Sequence, residues 1–233
     1  MKNLFLFLFL LVVFTSKAQD NRVSGLNSRQ FTKYWKVESE SPDYKVTFQG
    51  DTAEIVSPKG LTLWRKEKMS GKVTIEYDAC VVVESDGDRL SDLNCFWMAS
   101  DPQYPDNLWK REKWRSGIFL NCYSLQLYYL GYGGNHNSTT RFRRYDGDES
   151  GITNPKARPA ILKEYTDAGH LLKPNHWYHI KITNENNRVS YYIDGKRLVD
   201  FRDAEPLTEG WFGFRTTLSR TRITNFRYEC LPP

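Results

Sequence analysis

The stretch Lys72–Val83 constrains the fold more than any other part of this chain. Val73, Ile75, Tyr77, Ala79, Val81 and Val83 fall on alternate positions, with Thr74, Glu76, Asp78 and Cys80 between them. Strand side chains point alternately to opposite faces, so a period of two predicts a strand with one face in a core and the other towards water or a groove. The apolar side of such a strand has to be covered by a second layer. No stretch of the chain sustains a helical period long enough to supply that layer as helices.

Further short segments of strand character recur along the sequence, divided by turn residues. They are Tyr34–Val37, Lys45–Phe48, Glu54–Ser57, Leu61–Lys66, Leu93–Ala99, Ile118–Asn121, Leu125–Leu130, Thr139–Tyr145, Ile161–Tyr165, Trp177–Asn184, Arg188–Asp194, Arg197–Phe201, Gly210–Thr216 and Arg222–Glu229. Pro58-Lys59-Gly60 reads as a turn, Asp194-Gly195 as a hairpin signal, and Gly131-Tyr132-Gly133-Gly134 as an interruption. Asp167–Leu171 has the composition of a single helical turn. The expectation is an all-β chain, a β-sandwich (jelly roll) of two antiparallel sheets. The aromatic content of 15% suits strands, and it also suits surfaces that stack on sugar rings.

Residues Met1–Ala18 carry Lys2, an apolar run Leu4–Phe14 and the small-x-small triplet Ser16-Lys17-Ala18, which is the pattern of a secretory signal cleaved near Ala18. The run is too short for a membrane span. The expected product is an exported, periplasmic or secreted protein with one domain over residues 19–233, acting as a monomer. A formal charge of +5 with dispersed Lys and Arg, together with export, speaks against a nucleic-acid partner and is compatible with an anionic glycan. Export permits disulfides among Cys80, Cys95, Cys122 and Cys230. Cys95–Cys122 is the favoured pair, because both lie in mid-chain segments; alternation sets Cys80 and Cys230 on unlike faces. No Cys/His spacing suggests a metal, so no cofactor and no metal ligand are expected. A structural calcium is compatible with the fold class, although no compact carboxylate cluster marks its place.

The C-terminal half contains Asn175-His176-Trp177-Tyr178-His179-Ile180, Tyr191-Tyr192-Ile193-Asp194-Gly195 and Gly210-Trp211-Phe212-Gly213-Phe214, followed by a closing strand around Ile223-Thr224-Asn225-Phe226. This order resembles the tail of the concanavalin A-like lectin and glucanase superfamily. Arg89-Leu90-Ser91-Asp92-Leu93-Asn94 with Phe96-Trp97-Met98-Ala99, the run from Tyr128-Tyr129 to Arg141–Gly147, and Glu164-Tyr165-Thr166-Asp167 resemble a family of secreted proteins from glycan-degrading bacteria that has no assigned activity. The resemblance covers roughly 55–228. It implies a concanavalin A-like sandwich, which hosts both enzymes and binding domains.

A laminarinase-type hydrolase needs a carboxylate pair along one strand. The nearest match, Glu84-Ser85-Asp86-Gly87-Asp88, lacks the second glutamate and contains a loop glycine. A polysaccharide lyase instead needs a proton-transferring Tyr or His and an Arg or Asn that neutralises a uronate carboxylate. Tyr129, His136, Arg89, Asn94 and Arg143 form that candidate catalytic set. Trp97, Trp109, Trp114, Tyr132, Asn135, Arg141 and Arg144 are candidate substrate-binding residues, the tryptophans by stacking and the arginines by bidentate contact with acidic groups. The partner so described is a polysaccharide or oligosaccharide, including uronate-containing ones. Two readings stay open: a lyase-like enzyme on an acidic polysaccharide, and a non-catalytic carbohydrate-binding domain of a glycan-utilisation system. Tyr128 and Tyr129 must face opposite ways, and Arg89 could pair with Asp88 or Asp92.

Overall fold

The computed structural model describes residues 23–232. The signal-peptide expectation, on Met1–Ala18, lies outside them. Thirteen strands follow in chain order: β1 Trp35–Ser39, β2 Lys45–Gln49, β3 Thr52–Arg65, β4 Met69–Ser70, β5 Lys72–Val81, β6 Leu93–Ser100, β7 Gln126–Gly133, β8 Thr139–Asp146, β9 Lys163–Tyr165, β10 Tyr178–Glu185, β11 Arg188–Ile193, β12 Lys196–Arg202 and β13 Glu209–Leu231. Every pairing between them is antiparallel.

Two long strands build the sandwich. The first half of β13 pairs with β6, its second half with β5, and β3 runs along its other side. One layer therefore continues from β6 through β7 and β8 to β9, and the other from β5 through β10 and β11 to β12. The segments 54–57 and 61–66, expected as two strands, are one strand, and so are 210–216 and 222–229. Pro58 and Lys59 lie opposite a bulge at Leu218, where φ is +50° and the register shifts. A bulge leaves Pro58 without a ladder bond to donate, so a turn signal becomes a bend within a strand. Ile118–Asn121, expected as a strand, instead leads into the 3-10 turn Leu120–Ser124.

The alternating face of β5 lies in the core as expected at Val73, Ile75, Tyr77, Ala79 and Val81, but the strand stops at Val81, and Val83, expected on the same face, lies beyond it and is half-buried. Aromatic pairs join the layers: Tyr77 meets Phe214 at 4.8 Å, Trp97 meets Tyr191 at 6.1 Å, and Phe142 meets Phe201 at 5.5 Å. The outer face of the β5–β10–β11 layer is polar and ion-paired. Glu54 there accepts from Arg220 and Arg222. Burial pushes its carboxyl up, but these hydrogen bonds outweigh it and leave it below the usual carboxylate range. Ionised Glu54 thus contributes stability above the unfolded glutamate pKa, and that contribution fades as pH falls through the lowered value. Melting curves of E54Q against pH are expected to show a shallower acid limb than the native chain.

All four cysteines are free. Cys95 points into the core between the layers, whereas Cys122 packs on the outer face of the β6–β7–β8 layer, so the sheet itself separates the favoured pair. Alkylation of the unfolded chain without reductant is expected to label all four thiols.

Candidate functional site

The outer face of the β6–β7–β8 layer differs from the opposite, ion-paired face. Trp64, Phe96, Leu127, Tyr129, Tyr145 and Trp211 form an apolar cluster on it, and the inserted segment after β6 packs over them with Leu108, Cys122, Tyr123 and Leu125. A buried charge network holds that segment down. Arg115, fully buried, donates to Glu38 of β1 at 2.9 Å and to the Leu108 carbonyl at 2.6 Å. Arg111 donates to both oxygens of buried Asp101. Arg215 of β13 donates to the Gly117 carbonyl at 2.5 Å.

Where the cover ends, polar side chains take over in cross-strand register. One row reads Arg215, Asn94, Gly131, Arg141, Glu164 across five strands, and the next reads Gly213, Phe96, Tyr129, Arg143. Directly opposed residues on one face lie about 4.5–5.5 Å apart, so each row is a set of neighbours. Tyr129 bridges the rows. A Cβ at Gly131 would fall 2.2 Å from its hydroxyl, so the phenol lies over the glycine and reaches the Asn94 row. G131A is accordingly expected to push the phenol aside, with loss of whatever Tyr129 does and little change in the core; near-ultraviolet circular dichroism and a binding assay on the same sample would separate the two.

The Tyr129 hydroxyl has no protein hydrogen-bond partner among the described residues. Burial, and then Asp92, push it above the usual phenol range, against the pull of Arg215 and Arg143. It therefore keeps its proton at neutral pH. Asp92 is itself buried, and burial raises its carboxyl against the pull of Arg89. Of the two partners open to Arg89, Asp92 is the one it meets, at 3.2 Å. Asp88 instead accepts the backbone N–H groups of Glu84 and Ser85.

Cross-strand register thus sets Asn94, Tyr129, Arg141 and Arg143 on one face, and Arg89, in the loop before β6, is linked to Asn94 only through Asp92. Arg141 is engaged with Glu164, and Arg143 with the Pro159 carbonyl. His136 and Asn135 sit on a left-handed turn after Gly133; His136 is exposed, and Asn135 donates to Thr139. Three expected substrate contacts lie elsewhere. Trp97 is wholly enclosed between Tyr128, Phe142 and Tyr191, leaving no ring face for a sugar. Tyr132 is on the inner face, edge-on to Tyr178, with its hydroxyl on the Leu171 carbonyl. Arg144 is tied to Asp203 and the Glu205 carbonyl. Trp109 packs edge-on against Trp211, while Trp114 is 43% exposed beneath Arg111. The open choice between the adjacent tyrosines resolves as Tyr128 inward, donating to Asp203, and Tyr129 outward. Arg215 was missed as a site residue, because its Gly-Trp-Phe-Gly-Phe context reads as a fold motif. Period-two alternation from Gly213 would have placed it on the same face. No group of three or more His, Cys, Asp or Glu side chains able to hold a metal occurs among the described residues. No helix among them is long and apolar enough to cross a membrane.

A family model described as a domain of unknown function, DUF6250, matches residues 55–226. No curated relative matches the sequence. Among solved structures, a Bacillus subtilis protein of unknown function with a galectin-like fold superposes with a TM-score of 0.69 at 16% identity, over 88% of this chain and 93% of its own. The carbohydrate-binding module CBM66 from Bacillus subtilis gives 0.55 at 16%, over 84% and 94%. The Emp47p carbohydrate recognition domain gives 0.57 at 14%, over 93% and 98%. At these identities the likeness establishes the lectin-type jelly roll.

Proposed function

This chain belongs to the DUF6250 family, and we propose that it takes an acidic glycan on the outer face of its β6–β7–β8 layer and cleaves it by β-elimination. The observation that carries the reading is the Tyr129 hydroxyl. Raised by burial, it keeps its proton at neutral pH, has no hydrogen-bond partner among the described residues, and stands among Asn94, Arg143 and Arg215. In this chemistry a base takes the C5 proton of the sugar, the electron pair becomes a C4–C5 double bond, and the C4–O bond breaks; His136, exposed on the turn after Gly133, is the candidate to receive that proton and pass it to solvent. The departing oxygen then takes up a proton. A guanidinium beside the uronate carboxylate stabilises the charge that develops as C5–H breaks, and we assign that role to Arg143, the part-exposed arginine of the row, while buried Arg215 keeps the cover in place through the Gly117 carbonyl. Tyr129 enters as the proton donor to the departing oxygen. The carbohydrate-binding and glycan-recognising neighbours of the same fold agree with a sugar ligand.

Binding without cleavage is the second reading. It is favoured by the raised Tyr129 and Asp92, since both hold protons more tightly than an efficient base would. Incubation with uronate polysaccharides, followed through the ultraviolet absorbance of the unsaturated product, separates the two. Product formation supports elimination; retention on the same polysaccharide without product supports the binding domain, and neither result would end both. Under either reading R143Q is expected to weaken uronate binding by about tenfold or more, the scale of a hydrogen bond to a charged group. Calorimetric titration would show it.

A further inference from the structure

The outer face of the β5–β10–β11 layer carries a depression of about 560 Å³. That lies within the range of about 300–1,000 Å³ usual for ligand clefts. Cross-strand register lays out its lining. Thr183 of β10 stands directly opposite Ser190 of β11, and these two short side chains make the floor. Lys181 faces Tyr192 in the row on one side, and Glu185 faces Arg188 in the row on the other. His179 and Arg197 complete the rim.

The cations of this trough are already matched. Arg188 donates to both oxygens of Asp200 at 2.6 Å, and Arg197 lies 3.1 Å from the same carboxylate. Lys181 lies 3.4 Å from Glu76. His179 Nδ1 is 2.7 Å from Asp78, which also accepts from Asn225 at 2.6 Å. In contrast, the hydroxyls of Thr183, Ser190 and Tyr192 and the Glu185 carboxylate have no hydrogen-bond or ion-pair partner among the described residues, and all four residues line the open trough.

That pattern selects the ligand. A sulfate or carboxylate would find each cation neutralised and the Glu185 charge facing it. A metal ion would find one free carboxylate, and no group of three or more metal-ligating side chains occurs among the described residues. An apolar partner would strip water from the paired charges, a cost that ion pairs often fail to return. A molecule rich in hydroxyls suits every open group. Glu185 accepts from two neighbouring hydroxyls, Thr183 and Ser190 donate or accept, and half-buried Tyr192 offers a ring flank to sugar C–H groups. We infer that the depression is a second glycan site, for uncharged sugars, with Thr183, Glu185, Ser190 and Tyr192 as its contacts. It shares no residue with the acidic-glycan face and stands independently of it. A site on each layer lets one protein engage a polymer of mixed acidic and neutral units at two points.

The test is calorimetric titration of cellotriose, laminaritriose, mannotriose and galactotriose, with a uronate trisaccharide alongside, into the native chain, E185Q, T183V/S190A and R143Q. At least one neutral trisaccharide is expected to bind the native chain and R143Q alike. E185Q, at an exposed position, is expected to weaken that binding by about tenfold, the scale of a hydrogen bond to a charged group. T183V/S190A is expected to do the same, and neither variant changes uronate binding. A melting curve checks the double variant; if it melts early, E185Q decides alone. Binding of none of the four neutral sugars to the native chain would overturn the site. So would neutral binding that is unchanged in E185Q, or that falls in R143Q, which would put it on the acidic-glycan face. Neutral binding weakened in E185Q, with no uronate binding to any chain, would end the acidic-glycan reading and support the second site.

Discussion

Replacing Tyr129 with phenylalanine is expected to lower the rate of glycan cleavage by about 10²–10⁴-fold while leaving affinity for the glycan and thermal stability nearly unchanged. The stability half of that expectation follows from the lack of a hydrogen-bond partner for the hydroxyl among the described residues, so that removing it orphans no buried group there. The ring itself stays in place against Phe96, Phe119 and Tyr145. The rate half follows from the proton that the buried phenol retains, which phenylalanine cannot supply. The check is product formation and calorimetry on one preparation. A fall in affinity matching the fall in rate would make Tyr129 a binding group and favour the domain without turnover.

The second large effect concerns the cover over the site. R115A is expected to destabilise the chain by about 3–5 kcal/mol, the usual consequence of removing one member of a buried ion pair. Arg115 is the partner of Glu38, whose carboxyl burial already pushes up against the pull of Arg115 itself. Losing the guanidinium leaves Glu38 nearly unsolvated and the Leu108 carbonyl without its donor. Replacing both members of the pair, in R115M/E38M, is expected to recover most of the loss, because two apolar side chains leave no charge stranded. Chemical denaturation of the single and double variants measures this. A single variant that melts with the native chain would mean that the apolar packing of Leu108, Cys122 and Leu125, rather than the ion pair, holds the segment down.

The parts of the fold that were legible in the sequence are those governed by local alternation. Lys72–Val83 could be assigned a strand and a buried face from its residues alone, right but for its last two residues, and Asp194-Gly195 a hairpin turn that joins β11 to β12. What was not legible was the continuity of β3 and β13. Pro58-Lys59-Gly60 is a sound turn signal locally, and only the bulge opposite it, at Leu218, turns it into a bend. The site followed the same division. The polar entry Arg89–Asn94 stood out because charged and amide groups seldom precede a fully buried strand without a task. Trp97 was misplaced because alternation groups residues by face without saying which face the chain covers. Arg215 was hidden inside a fold motif. Its neighbour Asn94 comes from a strand more than a hundred residues earlier, and sheet order of that range has no local signature.

The claim on which the rest depends is that acidic glycan binds the β6–β7–β8 face and not the broader polar face of β10 and β11, where Lys181 and Arg188 line a depression of about 560 Å³. Titration of a uronate trisaccharide into the native chain, R143Q and K181Q/R188Q addresses it directly. The account predicts weakened binding in R143Q and native binding in K181Q/R188Q. Native binding in R143Q with loss in K181Q/R188Q would contradict it.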